Sequence, residues 1–332
     1  MFTKKPQHTD PPFWSVMIPT HNPDLSYLKQ AVHGVLSQQE TVGEMQIEIV
    51  DDCSPAWGAG QLWNIFRDPR IYVYRQPRRL GMTGNWNSCI DRARGSWIHI
   101  LHQDDQVLPG FYQAYARLIT DKPGVGAVFC RSKTIDAEGH TLFTTPVENS
   151  VDGIFIDWLE HIFVGLRIRA SSMVVKHTVY SELRNFSTEF QYAHDWDMWK
   201  RIAAKYPIGY VPDILHCYRR HDLSATNGYL ASGRNLREIA RSIHVSKSYL
   251  PTDVAADVER RSRAYYCRYG ADLAWESLWR RDLRVAWAQL REARKLGSLH
   301  IIAKHLLDRF SRSCVRKGGR ESSGHHTARA RP

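Results

Sequence analysis

A chain of 332 residues that is 43% apolar can bury a sizeable core, which argues against a disordered protein. Its formal charge of +11 belongs to the last third: residues 234–332 hold 22 Lys+Arg against 10 Asp+Glu, whereas residues 1–233 hold 23 against 24. Six scattered cysteines without a Cys-x-x-Cys spacing argue against a zinc knuckle or a disulfide scaffold and fit a reducing compartment. No stretch approaches the roughly 18 apolar residues of a membrane span. Residues 1–12 are polar, contain proline and lack the apolar core of a signal peptide, so the expectation is a flexible start and a cytoplasmic protein.

The first 130 residues alternate strand and helix signals. Trp14 to Ile18 is a short apolar run ending at Pro19, and Tyr27 to Leu36 has helical spacing. Ile47 to Val50 predicts a second strand, Leu62, Ile65 and Phe66 a helix, and Ile71 to Tyr74 a third strand. Trp86, Cys89, Ile90 and Ala93 mark the next helix, closed by Gly95 as the residue after its C-cap. Trp97 to Leu101 is the fourth strand, Phe111 to Ile119 a helix, and Val125 to Cys130 a fifth strand. Repeated βα units predict an α/β fold with a mostly parallel, doubly wound sheet flanked by helices.

The pattern then loosens to Phe163. Ala170 to Val175 reads as a strand, Ala193 to Lys205 as a helix, and Ile208–Val211 and Ile214–Tyr218 as two short strands. Beyond Gly233 only helices are expected: Leu236–Leu250, Ala255–Leu278, Leu283–Leu296 and Leu299–Phe310. The organisation that follows is a flexible segment 1–12, an α/β domain 13–232, a helical appendage 233–310 and a disordered basic tail 311–332.

Three strand ends collect polar residues: Pro19-Thr20-His21-Asn22, Asp51-Asp52-Cys53-Ser54 and His102-Gln103-Asp104-Asp105. In a parallel sheet all three project to one carboxyl edge, where open α/β sheets bind ligands. Asp104 and Asp105 are like charges side by side, a costly arrangement unless a cation or water shares them. The bland alternatives are a solvated turn for that pair and a helix N-cap for Asp51-Asp52-Cys53-Ser54. Asp195, Met198, Trp199 and Ile202 follow a one-face helical spacing, which places a carboxylate at the head of an apolar stripe. Its bland reading is an acid favoured by the helix dipole. Asp197 reads as an exposed or structural acid, and Trp196 and Trp199 as core rather than sugar platforms.

Ser15-Val16-Met17-Ile18-Pro19-Thr20-His21-Asn22, Ile49-Val50-Asp51-Asp52-Cys53-Ser54, Gly84-Asn85-Trp86-Asn87-Ser88, Leu101-His102-Gln103-Asp104-Asp105, His194-Asp195-Trp196-Asp197-Met198-Trp199 and Tyr218-Arg219-Arg220-His221, in this order, resemble the family 2 glycosyltransferases of GT-A fold. The resemblance covers roughly residues 13–225. It implies a donor half, 13–130, and an acceptor half, 131–232, of an inverting enzyme. The donor implied is a nucleoside diphosphate-sugar with Mg²⁺ or Mn²⁺, and the acceptor a hydroxyl on a saccharide, lipid-linked or other molecule. Pro19, Thr20, Asn22 and Asp52 would line the nucleotide pocket, with Thr20 and Asp52 at the base. Asp104 would meet the ribose and His221 the diphosphate or metal. Asp105 would be the metal ligand and Asp195 the general base. The chain departs from the family at His102, where an acid is common. Cell-surface polysaccharide or glycoconjugate assembly is the implied setting.

Two other classes are weaker. A nucleotidyltransferase or another nucleotide-binding α/β protein is expected to carry a Gly-rich phosphate loop after its first strand, and Pro19-Thr20-His21-Asn22 stands there instead. A nucleic-acid binder would account for the basic last third, but no known binding module is present, so no nucleic acid is expected. Docking on anionic lipid at the inner face of the cell membrane accounts for that charge better.

Overall fold

The apolar runs of the N-terminal half become strands buried on both faces. The computed structural model describes residues 11–56, 59–155, 158–221 and 225–321. In chain order its elements begin with β1 (Trp14–Thr20), α1 (Leu25–Leu36), α2 (Gln39–Val42), β2 (Met45–Asp51), α3 (Ala59–Ile65), β3 (Ile71–Arg75), α4 (Gly81–Arg92) and β4 (Trp97–Ile100). Next come β5 (Gln106–Val107), α5 (Phe111–Asp121), β6 (Ala127–Ile135), β7 (Thr141–Thr144), β8 (Gly153–Ile154) and α6 (Trp158–Val164). Then follow β9 (Val174–Lys176), α7 (His177–Leu183), α8 (His194–Ala203), β10 (Ile208–Arg219) and α9 (Ala225–Ser232). The chain closes with α10 (Arg234–Ser246), α11 (Thr252–Trp279), α12 (Leu283–Leu296) and α13 (Leu299–Glu321).

The sheet is mixed, in the order β3-β2-β1-β4-β9-β6-β10-β5, with β7 on β6 and β8 on β10. β3, β2, β1 and β4 are parallel, as the βα pattern predicts. β9 then enters antiparallel between β4 and β6, and β6 pairs parallel with β10. Alternate residues of one strand feed opposite cores. Trp14, Val16 and Ile18 face α1 and α5, whereas Met17 faces the layer of α4, α6 and α8.

Several boundaries differ from expectation for physical reasons. The two short strands around residue 212 are one strand, β10. Pro212 lacks an N–H, and the register shifts there, between Val211 and Ile214. Ala170–Ser172 is a 3₁₀ turn, and the strand starts only at Val174. Gly95 is not a left-handed cap: α4 ends with Ala93 in extended conformation. The glycine is needed because a Cβ would stand 2.6 Å from the Ser15 nitrogen in β1. The last helix runs on to Glu321, through the first part of the segment expected to be disordered; residues 322–332, and most of the expected flexible start, lie outside the described residues.

The helices after Gly233 do not form a separate core. Leu236, Ile239, Ile243, Val258, Tyr266 and Leu296 belong to the same buried cluster as Trp196 and Trp199 of α8. No helix of the described residues is long and apolar enough to cross a membrane.

Candidate active site

The register of β1 on β2 sets Thr20 opposite Asp51, and Leu101 beyond β4 bonds back to Met17 at 3.0 Å. The three polar strand ends therefore meet, and hydrogen bonds stitch them. The His21 N–H donates to Gln103 Oε1 at 2.9 Å, and His21 Nδ1 lies 3.1 Å from the Asp52 carbonyl. The Asn22 N–H donates to Ser54 Oγ at 2.8 Å. Asn22 and Cys53 both take left-handed backbone conformations, φ +46° and +54°, so both turns are held against an intrinsic cost.

Asp51 is buried and accepts from the Ser54 N–H at 3.0 Å, from Arg75 Nη1 at 2.8 Å and from the Ser54 hydroxyl. The Thr20 hydroxyl reaches it at 3.5 Å. Asp52 accepts from the amides of Leu80 and Gly81 at 2.6 and 2.9 Å. It thus caps α4, one helix later than the following-helix cap that its position suggested. Pro19 lies within β1, opposite Val50.

The acidic pair divides. Asp105 is fully buried. Its Oδ1 accepts the Arg219 N–H at 2.9 Å. Its Oδ2 meets His102 Nδ1 at 3.2 Å, the Ser171 hydroxyl, and His216 Nε2 at 3.8 Å. Burial alone would raise this carboxyl; the hydrogen bond and charge of His102, with His216 and Ser171, bring it below its ordinary value. Asp104 is only half-buried and pairs with His221 Nε2 at 2.9 Å. That bond, opposed by burial, holds the His221 imidazole above its ordinary value. Arg219 locks the strand end from beneath: Nε donates to the Asp104 carbonyl at 3.1 Å, and the guanidinium lies 4.3 Å from the Tyr27 ring centroid.

His102, Asp104 and Asp105 offer three ligand atoms within 4.8 Å of one another. With Nδ1 on Asp105, His102 is left with Nε2 buried and without a partner. The ring atom that faces Asp105, and so the one able to share a cation with it, is Nδ1. One imidazole and two carboxylates suit a divalent cation, and Mn²⁺ tolerates the nitrogen better than Mg²⁺ does. The residue that departs from the family pattern therefore fits the same role by other atoms.

Asp195 begins α8 and is half-buried; its Oδ1 accepts the Trp196 N–H at 2.7 Å. Burial pushes its carboxyl up to about 6, against the lowering effects of that amide, of His102 and of Arg169. Trp86 connects it to the acidic pair. The indole lies 4.9 Å from the His102 ring and 4.6 Å from that of His194, beside Asp195. Met198, Trp199 and Ile202 are buried as the stripe predicts. Trp196 and Trp199 are core, and Trp196 Nε1 donates to the Ile162 carbonyl at 2.6 Å. Asp197 is a buried structural acid paired with Arg201 Nε at 2.9 Å.

Sequence reasoning missed Ser171, His216, Arg169 and the linking role of Trp86. Ser171 and His216 enter from β9's leading turn and from the middle of β10, where nothing in a single sequence marks them as neighbours of Asp105. Arg169 lies 4.7 Å over the Tyr218 ring and makes no ion pair among the described residues. Its charge, close to Asp195 and His216, was invisible for the same reason.

Solved structures of low identity share this architecture. Staphylococcus aureus TarS 1-349 in complex with UDP-GlcNAc superposes with a TM-score of 0.62 at 12% identity, over 86% of this chain and 93% of that one. Mannosyltransferase PcManGT from Pyrobaculum calidifontis, in complex with GDP-Man and Mn²⁺, gives 0.59 at 16% identity, over 97% and 86%. The fold is GT-A, with a helical C-terminal region. An uncharacterized glycosyltransferase of Methanocaldococcus jannaschii is 26% identical over 63% of this chain and 71% of its own. Residues 15–170, a little under half of the chain, match the model of glycosyl transferase family 2; together with relatives named as glycosyltransferases, this match supports a glycosyltransferase.

Proposed function

We propose that the enzyme moves a sugar from a nucleoside diphosphate-sugar to an acceptor hydroxyl in one displacement that inverts the anomeric centre. The observation that carries this reading is the convergence of three strand ends on His102, Asp104 and Asp105, with Asp195 near enough to act on His102 by its charge. Pro19, Thr20, Asn22 and Asp52 line the nucleotide side, Thr20 and Asp52 toward the base. Asp104 meets the ribose, and His221 the diphosphate. Asp105, with His102 and Asp104, holds the divalent cation, Mg²⁺ or Mn²⁺. When bound, the cation neutralises charge on the departing diphosphate. The ligands named with TarS and PcManGT, UDP-GlcNAc and GDP-Man with Mn²⁺, support both the donor class and the cation.

The acceptor O–H gives its proton to Asp195. The oxygen bonds to the anomeric carbon as the bond from that carbon to the phosphate oxygen breaks, the electron pair leaving with the nucleoside diphosphate. A carboxyl raised to about 6 is a stronger base than an ordinary aspartate and is still ionised at neutral pH. Arg169 adds positive charge near this proton. The acceptor is a saccharide, lipid-linked or other hydroxyl compound in cell-surface polysaccharide or glycoconjugate assembly, met at the anionic inner face of the membrane.

A panel of nucleotide-sugars with Mn²⁺, read by thermal shift, identifies the donor. With that donor, Asp195→Asn loses transfer while keeping donor affinity, and Asp105→Ala loses the Mn²⁺-dependent part of donor binding by calorimetry. Transfer by Asp195→Asn at the parent rate would remove Asp195 from its role.

A further inference from the structure

We propose that the tip of the α11–α12 hairpin is the surface that docks on an anionic lipid bilayer. Trp279, Leu283 and Trp287 are 70%, 69% and 69% exposed. Leu283 and Trp287 stand four apart in α12 and share a face. The Trp275 ring lies 6.0 Å from that of Trp279 and 6.5 Å from that of Phe310, so exposed Phe310 of α13 extends the patch. Large apolar groups clustered in water mark a binding surface.

The cations identify what it binds. Arg280, Arg281 and Arg284 alternate with the apolar residues, are exposed, and make no ion pair among the described residues. Between Ser277 and Arg291 the one acid is Asp282, whose carboxylate caps α12 by accepting the Val285 N–H at 3.0 Å. Indole rings settle at the headgroup level of a bilayer, and arginines beside them reach lipid phosphates. A second copy of the chain, paired face to face about a two-fold axis, would oppose these unpaired arginines to their own counterparts, a like-charge contact. Phospholipid supplies both an apolar phase and the missing anions.

This deepens the membrane part of the proposed function, and its test reads no sugar transfer, so the two can fail separately. The full chain is floated with vesicles of phosphatidylcholine alone or mixed with phosphatidylglycerol. The expected result is flotation only with the mixed vesicles, weakened by salt. Trp279→Ser with Trp287→Ser loses flotation while melting at the parent temperature, both side chains being exposed. Arg280→Gln, Arg281→Gln and Arg284→Gln together lower the partition coefficient by about a hundredfold. Three results overturn the proposal: undiminished flotation of the tryptophan variant, equal binding to both vesicle types, or a lipid-free dimer of the parent that the tryptophan variant dissolves.

Discussion

Replacing Lys200 by Met should raise stability at neutral pH and flatten its dependence on pH. Lys200 has no exposed surface. Its ammonium donates to the Ser242 carbonyl at 3.1 Å, to Ser242 Oγ at 2.7 Å and to Ser246 Oγ at 2.8 Å, and lies 3.8 Å over the Trp196 ring. No carboxylate pairs with it among the described residues. Burial pushes it down to about 7, with Asp197 and Asp195 pulling the other way. The unfolded chain holds this proton up to about 10.4. Between those values the unfolded state binds more protons, so this group makes stability rise with pH across that window; below about 7 it contributes no slope. The slope is about 1.4 kcal/mol per pH unit, or about 3 kcal/mol between pH 7.5 and 9.5. Met fills similar volume without a charge, and Ser246 Oγ keeps its 2.6 Å bond to the Ser242 carbonyl. Urea unfolding of parent and variant at half-unit steps from pH 6 to 9.5 gives the difference directly, with other titrating groups cancelling. The variant's advantage should be largest below pH 7 and shrink steadily above it. Parallel profiles, with a difference constant to within about 0.5 kcal/mol, would refute the account of Lys200 as an uncompensated buried cation.

Other consequences are as direct. If Asp195 takes the acceptor proton, kcat/KM should rise with pH through about 6 and level off above it, because only the carboxylate can accept; a stopped assay between pH 4.5 and 8 reads the limb. Gly95→Ala should cost about 1–3 kcal/mol in urea unfolding, since its Cβ would meet the β1 backbone at 2.6 and 2.7 Å. Asp24→Ala should cost about 1 kcal/mol by the same assay, because its carboxylate caps α1 through the amides of Ser26 and Tyr27 at 2.8 and 3.3 Å.

What the sequence made legible was what periodicity and turn chemistry encode locally. The runs at Trp14, Ile47 and Trp97 fixed three parallel strands, and their polar ends located the crevice. The apolar spacing after Asp195 placed that acid at a helix start. What stayed hidden depended on contacts between distant segments. Nothing around Ser171 or His216 announces a hydrogen bond or charge partner for Asp105. Asp52 gave the right chemistry, a capping carboxylate, on the wrong helix, because α4 reaches it only through the fold. Gly95 was recognisable as a required glycine, but its reason is the proximity of β1 rather than a left-handed turn.

The position of β9 has a consequence for how the protein is made. β4 has no direct ladder to β6; the three residues of β9 bridge them, pairing with Trp97–His99 on one side and Ala127–Val128 on the other. An emerging chain that has reached residue 130 can assemble the four parallel strands, yet β4 then presents an open edge of unpaired amides and carbonyls. That edge closes only after Lys176 has left the ribosome, roughly 50 residues and several seconds later at usual synthesis rates. Fragments ending between those points carry the nucleotide-side strands with a sticky margin, so truncation of this domain should start after β10 rather than after the donor half.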